Sequence, residues 1–305
     1  MVSQNPLLQY PHRHYGMDHK RYAWEMLHQR PRVQWPDGKK LALWVNISLQ
    51  FFPLAQTDKT FPVPGGMRMP YPDLRHFSLR DYGNRVGIFR VLKVLDRYGI
   101  RPTVAMSADV ATRYPTLCRR IVERGDEVIA HGVNMDCLHH SGIDAELELA
   151  RVQSTCQVLR QATGQAVSGW LSPGKSQSFI TPDLLTQNGI RYMCDWVNDD
   201  MPYVVDTKNG QLVALPLSTE LEDTFVLLNN QHSEQSYVEQ VQDACGFLLR
   251  EAETAGGRLL ALSIHPWLMG QPHRIGKLDQ MLAHITGQQG VWSAPASEII
   301  AHAGM

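Results

Sequence analysis

Four hydrophobic stretches of this chain each lead into a side chain that can take part in acid–base or hydrogen-bond chemistry. These side chains are His131 after EVIA, Ser172 after AVSGWL, Asp195 after RYMC and His265 after LLALSI. Each stretch has the length and composition of a buried strand. The carboxyl ends of parallel strands meet at one face of a sheet, where ligands gather. We therefore expect the four side chains to line one cavity, although a single histidine after a strand is more often a loop or core residue.

His131 is a candidate ligand for a catalytic zinc ion, which needs three protein ligands and one open position. The stretch that follows it, HGVNMD, contains Met135 and no second histidine, and the two histidines at 139–140 are expected to be exposed. Asn46 and Gln50, near the end of the first apolar run, are neutral amides and poor zinc ligands. The pattern disfavours a catalytic metal, so we expect no cofactor; a bound divalent cation such as zinc stays an alternative.

The chain alternates between segments typical of strands and of helices. LALWVNI, at 41–47, is a continuous apolar run of the kind found in strands buried on both faces. VGIFRVLKVLDRYG, YPTLCRRIVERG and DAELELARVQSTCQVLRQATG place apolar residues at helical spacing and end at a glycine. This alternation predicts an α/β protein with a parallel sheet, open or closed into a barrel.

Two segments fall outside the alternation. Residues 1–40 form an N-terminal arm that we expect to pack on the barrel domain, residues 41–305, or on a neighbouring subunit of a homo-oligomer. The stretch FFPLAQTDKTFPVPGGMRMPYPDL is rich in proline and glycine and cannot hold a regular element. A loop of this length with several aromatic residues is expected to cover the site.

Composition limits the possible partners. The chain has 29 lysines and arginines against 30 acids, a net charge of -1, which gives no basic surface for nucleic acid or a membrane. No apolar run approaches the roughly 20 residues of a spanning helix, and the N-terminus lacks the pattern of a secretory signal. The five cysteines show no CxxC spacing, which favours reduced thiols. We expect a cytoplasmic protein that acts on a small molecule.

Five stretches of the chain, in order, resemble the polysaccharide deacetylase superfamily, in particular its branch of cofactor-independent allantoinases and cyclic imide hydrolases. The stretches are DYGNRVGIFRVLKVLDRYG, RYPTLCRRIVERGDEVIAHG, SGWLSPGKSQSFITPDLL, YMCDWVNDDMPY and LSIHPWLMGQPHR. The resemblance covers the chain from about residue 40 to 301. It implies a distorted (β/α) barrel of about seven parallel strands and hydrolysis of a carbon–nitrogen bond other than a peptide bond.

The same resemblance bears on individual residues. Metal-dependent members carry paired aspartates after the first strand, where this chain reads WVNISLQ, and a His-x-x-x-His motif, in which Met135 here replaces the second histidine. Only His131 of that pair remains, in agreement with the ligand count above. A histidine late in the chain acts in the family as general acid, and His265 stands at that position.

We therefore expect metal-independent opening of a small cyclic amide, imide or ureide. Attack on an amide carbonyl needs an activated water, a stabilised oxyanion and a proton for the departing nitrogen. In the expected mechanism Asp200 or Asp195 orients the water, and His265 protonates the nitrogen. His131 and backbone N–H groups around Ser172 stabilise the oxyanion.

The general base stays open, because Gln50 stands where allantoinase-like members tend to carry an acid. The candidates are Asp195, Asp200, Glu220 and Asp223. The tryptophans at 170 and 267 can wall a pocket for a flat ring, and Arg85 can hold a carboxylate or carbonyl oxygen. The expected substrate-binding residues are Gln50, Arg85, Trp170, Ser172, Asp199, Glu220 and Trp267. Two alternatives remain, a metal-dependent carbohydrate N-deacetylase and a catalytically degenerate barrel that binds a ligand.

Overall fold

The computed structural model describes residues 19–57, 61, 64, 69–70 and 72–305. These residues form one sheet and a set of helices that connect its strands. The strands are β1 Leu41–Leu49, β2 Thr103–Met106, β3 Glu127–Ala130, β4 Gly169–Trp170, β5 Tyr192–Met193, β6 Tyr203–Thr207, β7 Gly210–Ala214, β8 Arg258–Ile264 and β9 Val291–Ser293. The helices are α1 Leu74–Tyr82, α2 Ile88–Arg97, α3 Ala108–Arg113, α4 Pro115–Glu123, α5 Ala145–Thr163, α6 Thr181–Gln187, α7 Glu234–Ala255, α8 Pro266–Met269, α9 Ile275–Thr286 and α10 Ala296–His302.

The sheet is an open half-barrel. Its strand order is β6-β7-β5-β4-β3-β2-β1-β8, and β9 pairs with the beginning of β1. Seven strands, β1 to β5 with β7 and β8, pair in parallel along this path, whereas β6 is antiparallel to β7. The expected α/β fold with a parallel, barrel-like sheet is confirmed. The sequence reading missed β6, because the hairpin with β7 lies outside the strand–helix alternation that guided it.

Strand β1 is the centre of the sheet. All nine of its residues are buried, as its continuous apolar run predicts. It pairs with β8 from Leu41 to Ile47 and with β2 from Asn46 to Leu49. The ends of β1, β2 and β8 are therefore aligned, and the residues just beyond them emerge at the same face of the sheet.

Helix α5 shows how local sequence sets the ends of an element. The side chain of Asp144 accepts hydrogen bonds from the N–H groups of Glu146 and Leu147, and Gly164 ends the helix in the left-handed conformation at φ 69°. Thr181 is the first residue of α6, and its hydroxyl donates to Glu148 of α5. A buried carboxylate thus takes the threonine hydroxyl away from its own helix.

The helical region before β2 is longer than the sequence pattern predicts. It begins at Leu74, where the side chain of Asp73 accepts from the N–H of His76, and it runs through α1 into α2. Between the two helices, Gly83–Gly87 form a wider turn in which the N–H of Ile88 donates to the carbonyl of Gly83.

The glycines of this wider turn let the helical region touch the segment after β8. A Cβ atom at Gly87 would lie 2.0 Å from the carbonyl oxygen of Pro266, and one at Gly83 would lie 2.8 Å from the backbone nitrogen of Trp267. Both contacts involve backbone atoms, which cannot move aside without shifting the chain. The turn therefore holds in place the segment that follows His265.

The N-terminal arm is described from residue 19, and residues 1–18 lie outside the described residues. Arg21 donates to both carboxylate oxygens of Asp183 in α6 and to the carbonyl of Phe179. Tyr22 contacts the rings of Trp196 and Tyr203 at centroid distances of 5.8 and 5.1 Å. The described part of the arm thus packs on its own sheet, next to β6; the expected contact with a neighbouring subunit stays a prediction.

Two further features concern the expectations from composition. All five cysteines are free thiols. Among the helices that the described residues form, none combines the length and the apolar character of a membrane span.

The contact between Gly87 and Pro266 generates a first prediction. Gly87→Ala should lower the free energy of unfolding by about 1–3 kcal/mol, because the added methyl group overlaps a backbone oxygen. Urea denaturation followed by circular dichroism measures this change.

Gly276→Ala in α9 is the matched control. A Cβ at Gly276 has no atom within 4 Å, so alanine should leave stability unchanged or raise it by up to about 1 kcal/mol through helix propensity. Equal stabilisation by both variants would show that the segments around Gly87 and Pro266 are not held in close contact.

Candidate active site

A cavity of about 750 Å³ opens at the carboxyl ends of β1, β3, β4, β5 and β8. Its volume is within the range of small-molecule sites in proteins. The predicted catalytic and substrate-binding residues that line it are Gln50, His131, Ser172, Asp195, His265 and Trp267. The four side chains that follow hydrophobic stretches therefore do meet at one cavity. Phe52, Phe61 and Pro64 of the proline-rich stretch also line it, whereas 58–60, 62–63, 65–68 and 71 lie outside the described residues.

His131 is held at the cavity as a neutral imidazole. Its Nδ1 lies 2.6 Å from the carbonyl oxygen of Leu171, which can only accept, so Nδ1 carries the proton. Burial lowers the pKa of His131 to about 4, although the bond to Leu171 opposes this. The Nε2 atom is then unprotonated, and it lies 3.3 Å from the amide nitrogen of Gln50, which donates to it. His131 therefore presents a hydrogen-bond acceptor, which makes it unsuited to the expected role of oxyanion donor.

His265 is held in the opposite way, by a carboxylate. Asp223 lies 2.6 Å from its Nδ1 and 2.7 Å from its backbone nitrogen, so the two carboxylate oxygens bind the ring and the main chain together. Burial lowers the pKa of His265, but the adjacent Asp223 outweighs burial, and the net effect raises that pKa above 6.5. Since Nδ1 is bound to Asp223, Nε2 is the ring nitrogen left for the cavity. Asp223 was a candidate base in the sequence analysis, yet in the structure its carboxylate binds the Nδ1 and the backbone N–H of His265 and does not line the cavity.

Asp195 lines the cavity, but its oxygens are already in use. It accepts from the N–H of Ser172 at 2.6 Å, from the hydroxyl of Ser172 at 2.8 Å and from the amide of Gln177. Burial raises its pKa, and these donors act in the opposite direction. The N–H of Ser172 is therefore engaged, and it is not a free donor for an oxyanion as expected.

The two tryptophans have different positions. Trp170 is fully buried and lies outside the cavity lining, where its indole N–H donates to the hydroxyl of Ser172 at 2.7 Å. Its position therefore gives it no contact with a substrate, contrary to expectation. Trp267 does line the cavity, and the guanidinium of Arg80 lies 3.7 Å from its ring centroid. Arg80 was missed, because the sequence analysis began the helical pattern only after this residue.

Two more charged residues of the cavity were missed. The ammonium of Lys175 donates to the carboxylate of Glu222 at 2.8 Å, and both residues line the cavity. Lys175 follows Gly174, and both have positive φ, 55° and 63°. A lysine directly after Pro-Gly at the end of a strand was the available signal. Glu222 lies between Glu220 and Asp223, both of which were considered in its place.

The acids at 199–200 lie away from the cavity, on the side of the N-terminal arm. Asp199 forms an ion pair with Arg30, and its carboxylate accepts from the N–H of Met201, so it has the local turn contact typical of aspartate. Asp200 is exposed and is absent from the cavity lining. The expected roles of these two residues in water activation and substrate binding have no support in the geometry, because the chain turns away from the cavity after Val197.

Two other expected substrate contacts are also misplaced. Glu220 is exposed. Arg85 has a side chain that is 75% exposed and faces Asp81 one helical turn away. Neither residue lines the cavity.

His139 was expected to be exposed, and this expectation is wrong. It is fully buried, and its Nδ1 lies 3.2 Å from the carboxylate of Glu148. Glu148 also accepts from the hydroxyls of Ser178 and Thr181. His140 is exposed as expected.

The residues of the cavity do not fit a catalytic zinc ion. Among the described residues, no group of three histidine, cysteine, aspartate or glutamate side chains is arranged to hold a metal. Met135, in place of a second histidine, is buried in the cavity wall, and the amide of Gln50 donates to the nitrogen through which His131 would bind. Three ligands with an open position, the usual arrangement of catalytic zinc, are not provided by these side chains.

The protonation of His131 is a second testable prediction. In histidine-selected NMR spectra, the His131 signal is assigned as the one that is absent from the His131→Gln variant. In the wild-type protein this signal should show a neutral ring, with the proton on Nδ1, down to about pH 4. In the unfolded chain the ring of His131 becomes a cation below about pH 6.5, whereas in the folded chain it stays neutral down to about pH 4. The contribution of His131 to the free energy of unfolding is therefore complete above pH 6.5 and declines as pH falls towards 4. The signal lost in His265→Gln should instead titrate above 6.5. A His131 signal that titrates near 6.5 would contradict the described burial.

Comparison with known proteins supports the resemblance found in the motifs. Residues 80–193 match the family model described as "Polysaccharide deacetylase". A Schizosaccharomyces pombe protein described as "Putative polysaccharide deacetylase" is 24% identical over 295 residues, which cover 87% of this chain and 90% of that protein. The peptidoglycan deacetylase of Helicobacter pylori is 22% identical over 250 residues, 72% of this chain and 84% of that protein.

Among solved structures, a crystal structure of Puue allantoinase superposes with a TM-score of 0.79 and 23% identity. The match covers 92% of this chain and 97% of that chain. Deacetylases and allantoinases cleave carbon–nitrogen bonds other than peptide bonds. Residues 80–193 of this chain are thus similar to the polysaccharide deacetylase family, and the described residues have the fold of the allantoinase structure.

Proposed function

We propose that this protein is a hydrolase that opens a small cyclic amide, imide or ureide without a catalytic metal. The observation that carries the proposal is the pairing of His265 with Asp223 at a cavity whose other histidine, His131, is neutral and bonded to an amide. The first histidine can supply a proton, and the second can accept a hydrogen bond. Hydrolysis of a carbon–nitrogen bond needs a proton donor for the departing nitrogen and a group that orients the attacking water.

His265 is the proposed general acid. The Asp223 carboxylate stabilises the protonated ring, in the way that a carboxylate orients and supports a catalytic histidine elsewhere. The Nε2 proton then passes to the nitrogen as the carbon–nitrogen bond breaks. Protonation of the nitrogen is needed because a departing amide anion is a poor leaving group.

His131 is proposed to orient the attacking water. Its unprotonated Nε2 accepts a hydrogen bond from that water in place of the one from the Gln50 amide, which directs an oxygen lone pair of the water towards the substrate carbonyl. The oxyanion then needs cationic or N–H donors from other residues. Arg80 in the cavity wall is the donor proposed here.

The shape of the cavity favours a flat substrate. Trp267 and Phe52 supply aromatic walls, and Arg80 lies at 3.7 Å and 4.7 Å from their respective ring centroids. Small-molecule sites commonly combine such apolar walls with a few polar anchors. The deacetylase relatives favour a second candidate, removal of an acetyl group from an amino sugar.

A substrate screen distinguishes these candidates. The purified chain is incubated with cyclic ureides, cyclic imides and N-acetylated sugars, each with and without a metal chelator. We expect ring opening that resists the chelator. Release of acetate that the chelator abolishes would favour the metal-dependent deacetylase, and saturable binding without turnover would favour a degenerate barrel.

His265→Gln is a third prediction. It should lower kcat on the best substrate of the screen by about 10²–10⁴-fold, the usual contribution of a general acid. His302→Gln in α10 is the control, because this exposed histidine lies outside the cavity lining and should leave kcat unchanged. Unfolding curves of both variants establish that they are folded. An unaltered kcat in His265→Gln removes this residue from the mechanism.

The pH profile gives a fourth prediction. Since the pKa of His265 is raised above 6.5 and the protonated form is the active one, kcat should fall as pH rises through that pKa. The residual activity of His265→Gln should lack this alkaline limb. A wild-type kcat that rises over the same range would contradict the assignment of His265 as an acid.

A further inference from the structure

Among the described residues, two carboxylates line the cavity, and they differ in how much of their hydrogen-bonding capacity is used. Asp195 accepts three hydrogen bonds from the loop that contains Ser172 and Gln177, which makes it a structural anchor of that loop. Glu222 accepts one bond at each oxygen, from the hydroxyl of Thr224 at 2.6 Å and from the ammonium of Lys175 at 2.8 Å. Each carboxylate oxygen can accept two bonds, so Glu222 retains acceptor capacity at both oxygens.

The ammonium of Lys175 is fully engaged by the protein. An ammonium has three donors. Those of Lys175 reach the carbonyl of Leu217 at 3.0 Å, the hydroxyl of Thr219 at 3.1 Å and the carboxylate of Glu222. No donor is left for a substrate, so Lys175 binds protein groups although it lines the cavity.

The backbone at Lys175 indicates that this position is held by its contacts. Lys175 has a φ of 55°, a conformation that a residue with a Cβ atom adopts at a cost in free energy. Its three hydrogen bonds all go to the segment 217–222. They join the loop after β4 to the segment after β7.

The charges around Glu222 keep it ionised. Burial raises the pKa of Glu222, but nearby His265 and Lys175 outweigh burial, and the net pKa is lowered. In turn, the charged groups that act on His265 are Asp223 and Glu222, which favour its protonated form, and Arg80, which disfavours it. Glu222 and His265 therefore form an anion and a cation within one cavity.

We propose that Glu222 is the general base of this site and that Lys175 is the residue that positions it. The inference rests on the proposed hydrolytic function. It replaces Asp195 and Asp200, which the sequence favoured, because Asp195 already accepts three hydrogen bonds from its own loop, against two at Glu222, and Asp200 lies outside the cavity.

The proposed hydrolysis moves one proton from water to Glu222 and one from His265 to the departing nitrogen. The water oxygen attacks the carbonyl carbon and forms a carbon–oxygen bond, while Glu222 takes the proton that this water loses. The carbon–nitrogen bond then breaks, its electron pair goes to nitrogen, and nitrogen takes the Nε2 proton of His265. Glu222 returns its proton to His265 through solvent in the cavity. The net reaction consumes one amide and one water and yields a carboxylic acid and an N–H group.

The first experiment compares Glu222→Gln with Glu220→Gln. Glutamine keeps an oxygen acceptor for Lys175 but cannot take a proton, so kcat should fall by about 10²–10⁴-fold on a substrate identified by the screen. Glu220 is exposed two residues earlier and outside the cavity lining, so its variant should keep wild-type kcat. If Glu222→Gln retains wild-type kcat, the assignment of the base is wrong, while the hydrolytic function stands.

The role of Lys175 is tested separately, through the pH at which kcat is lost on the acidic side of the pH profile. Activity requires ionised Glu222, so kcat should be lost as pH falls through the lowered pKa of this group. Lys175→Met removes the cation that lowers this pKa, and the acid limb should move to higher pH. Lys93→Met, an exposed control in α2, should leave the limb in place. A Lys175→Met variant with lower kcat but an unmoved acid limb would mean that Lys175 is only structural.

The third readout needs no substrate. The NMR titration midpoint of His265 should fall by roughly one pH unit in Glu222→Gln, because a nearby anion is lost, and should stay unchanged in Glu220→Gln. If the screen finds no substrate, the hydrolytic function fails, and this titration still decides whether Glu222 and His265 face each other. An unchanged midpoint in a folded Glu222→Gln variant overturns the inference.

Discussion

Burial of ionisable side chains at the open end of a parallel sheet is the constraint on which this site depends. A charge taken out of water without a partner costs several kcal/mol, so each buried ionisable group needs an oppositely charged or hydrogen-bonding neighbour. The cavity meets this need with His265 on Asp223 and Lys175 on Glu222. In both pairs the partners belong to segments after different strands, so the pairs that solvate the charges also connect the loops.

The partner of each histidine determines its chemistry. Both rings are anchored through Nδ1, His131 to the carbonyl of Leu171 and His265 to the carboxylate of Asp223. A neutral carbonyl does not compensate the cost of a buried cation, so His131 stays neutral and its Nε2 accepts. A carboxylate does compensate it, so His265 can be a cation whose Nε2 donates. Two histidine side chains at the same cavity therefore differ in function: Nε2 of His131 accepts a hydrogen bond, and Nε2 of His265 donates one.

Contacts at a distance from the cavity support this arrangement. The close approach of Gly87 to Pro266 fixes the chain directly after His265. On the other side, Trp196 donates to Gln177, which donates to Asp195, and Trp196 contacts the ring of Tyr22 in the N-terminal arm. The arm is therefore connected to the cavity wall through a continuous series of contacts.

The sequence by itself determined the elements and the face of the sheet at which chemistry is possible. Apolar runs such as β1, helical spacing in α5 and its terminal Gly164 are local signals, and backbone geometry converts them directly into strands, helices and their ends. The parallel arrangement then requires the side chains after the strands to emerge together, which is why His131 and His265 were found from their positions alone.

Only the tertiary structure decided which of the polar residues lie in the cavity and what each can do. Asp199 and Asp200 follow a strand as Asp195 does, but the chain turns away from the cavity after Val197, and no local pattern encodes that direction. Glu222 and Lys175 are 47 positions apart, and neither has a motif that predicts the other. Protonation states and pairings arise from burial and from neighbours distant in sequence, so they become visible only when the strands are assembled.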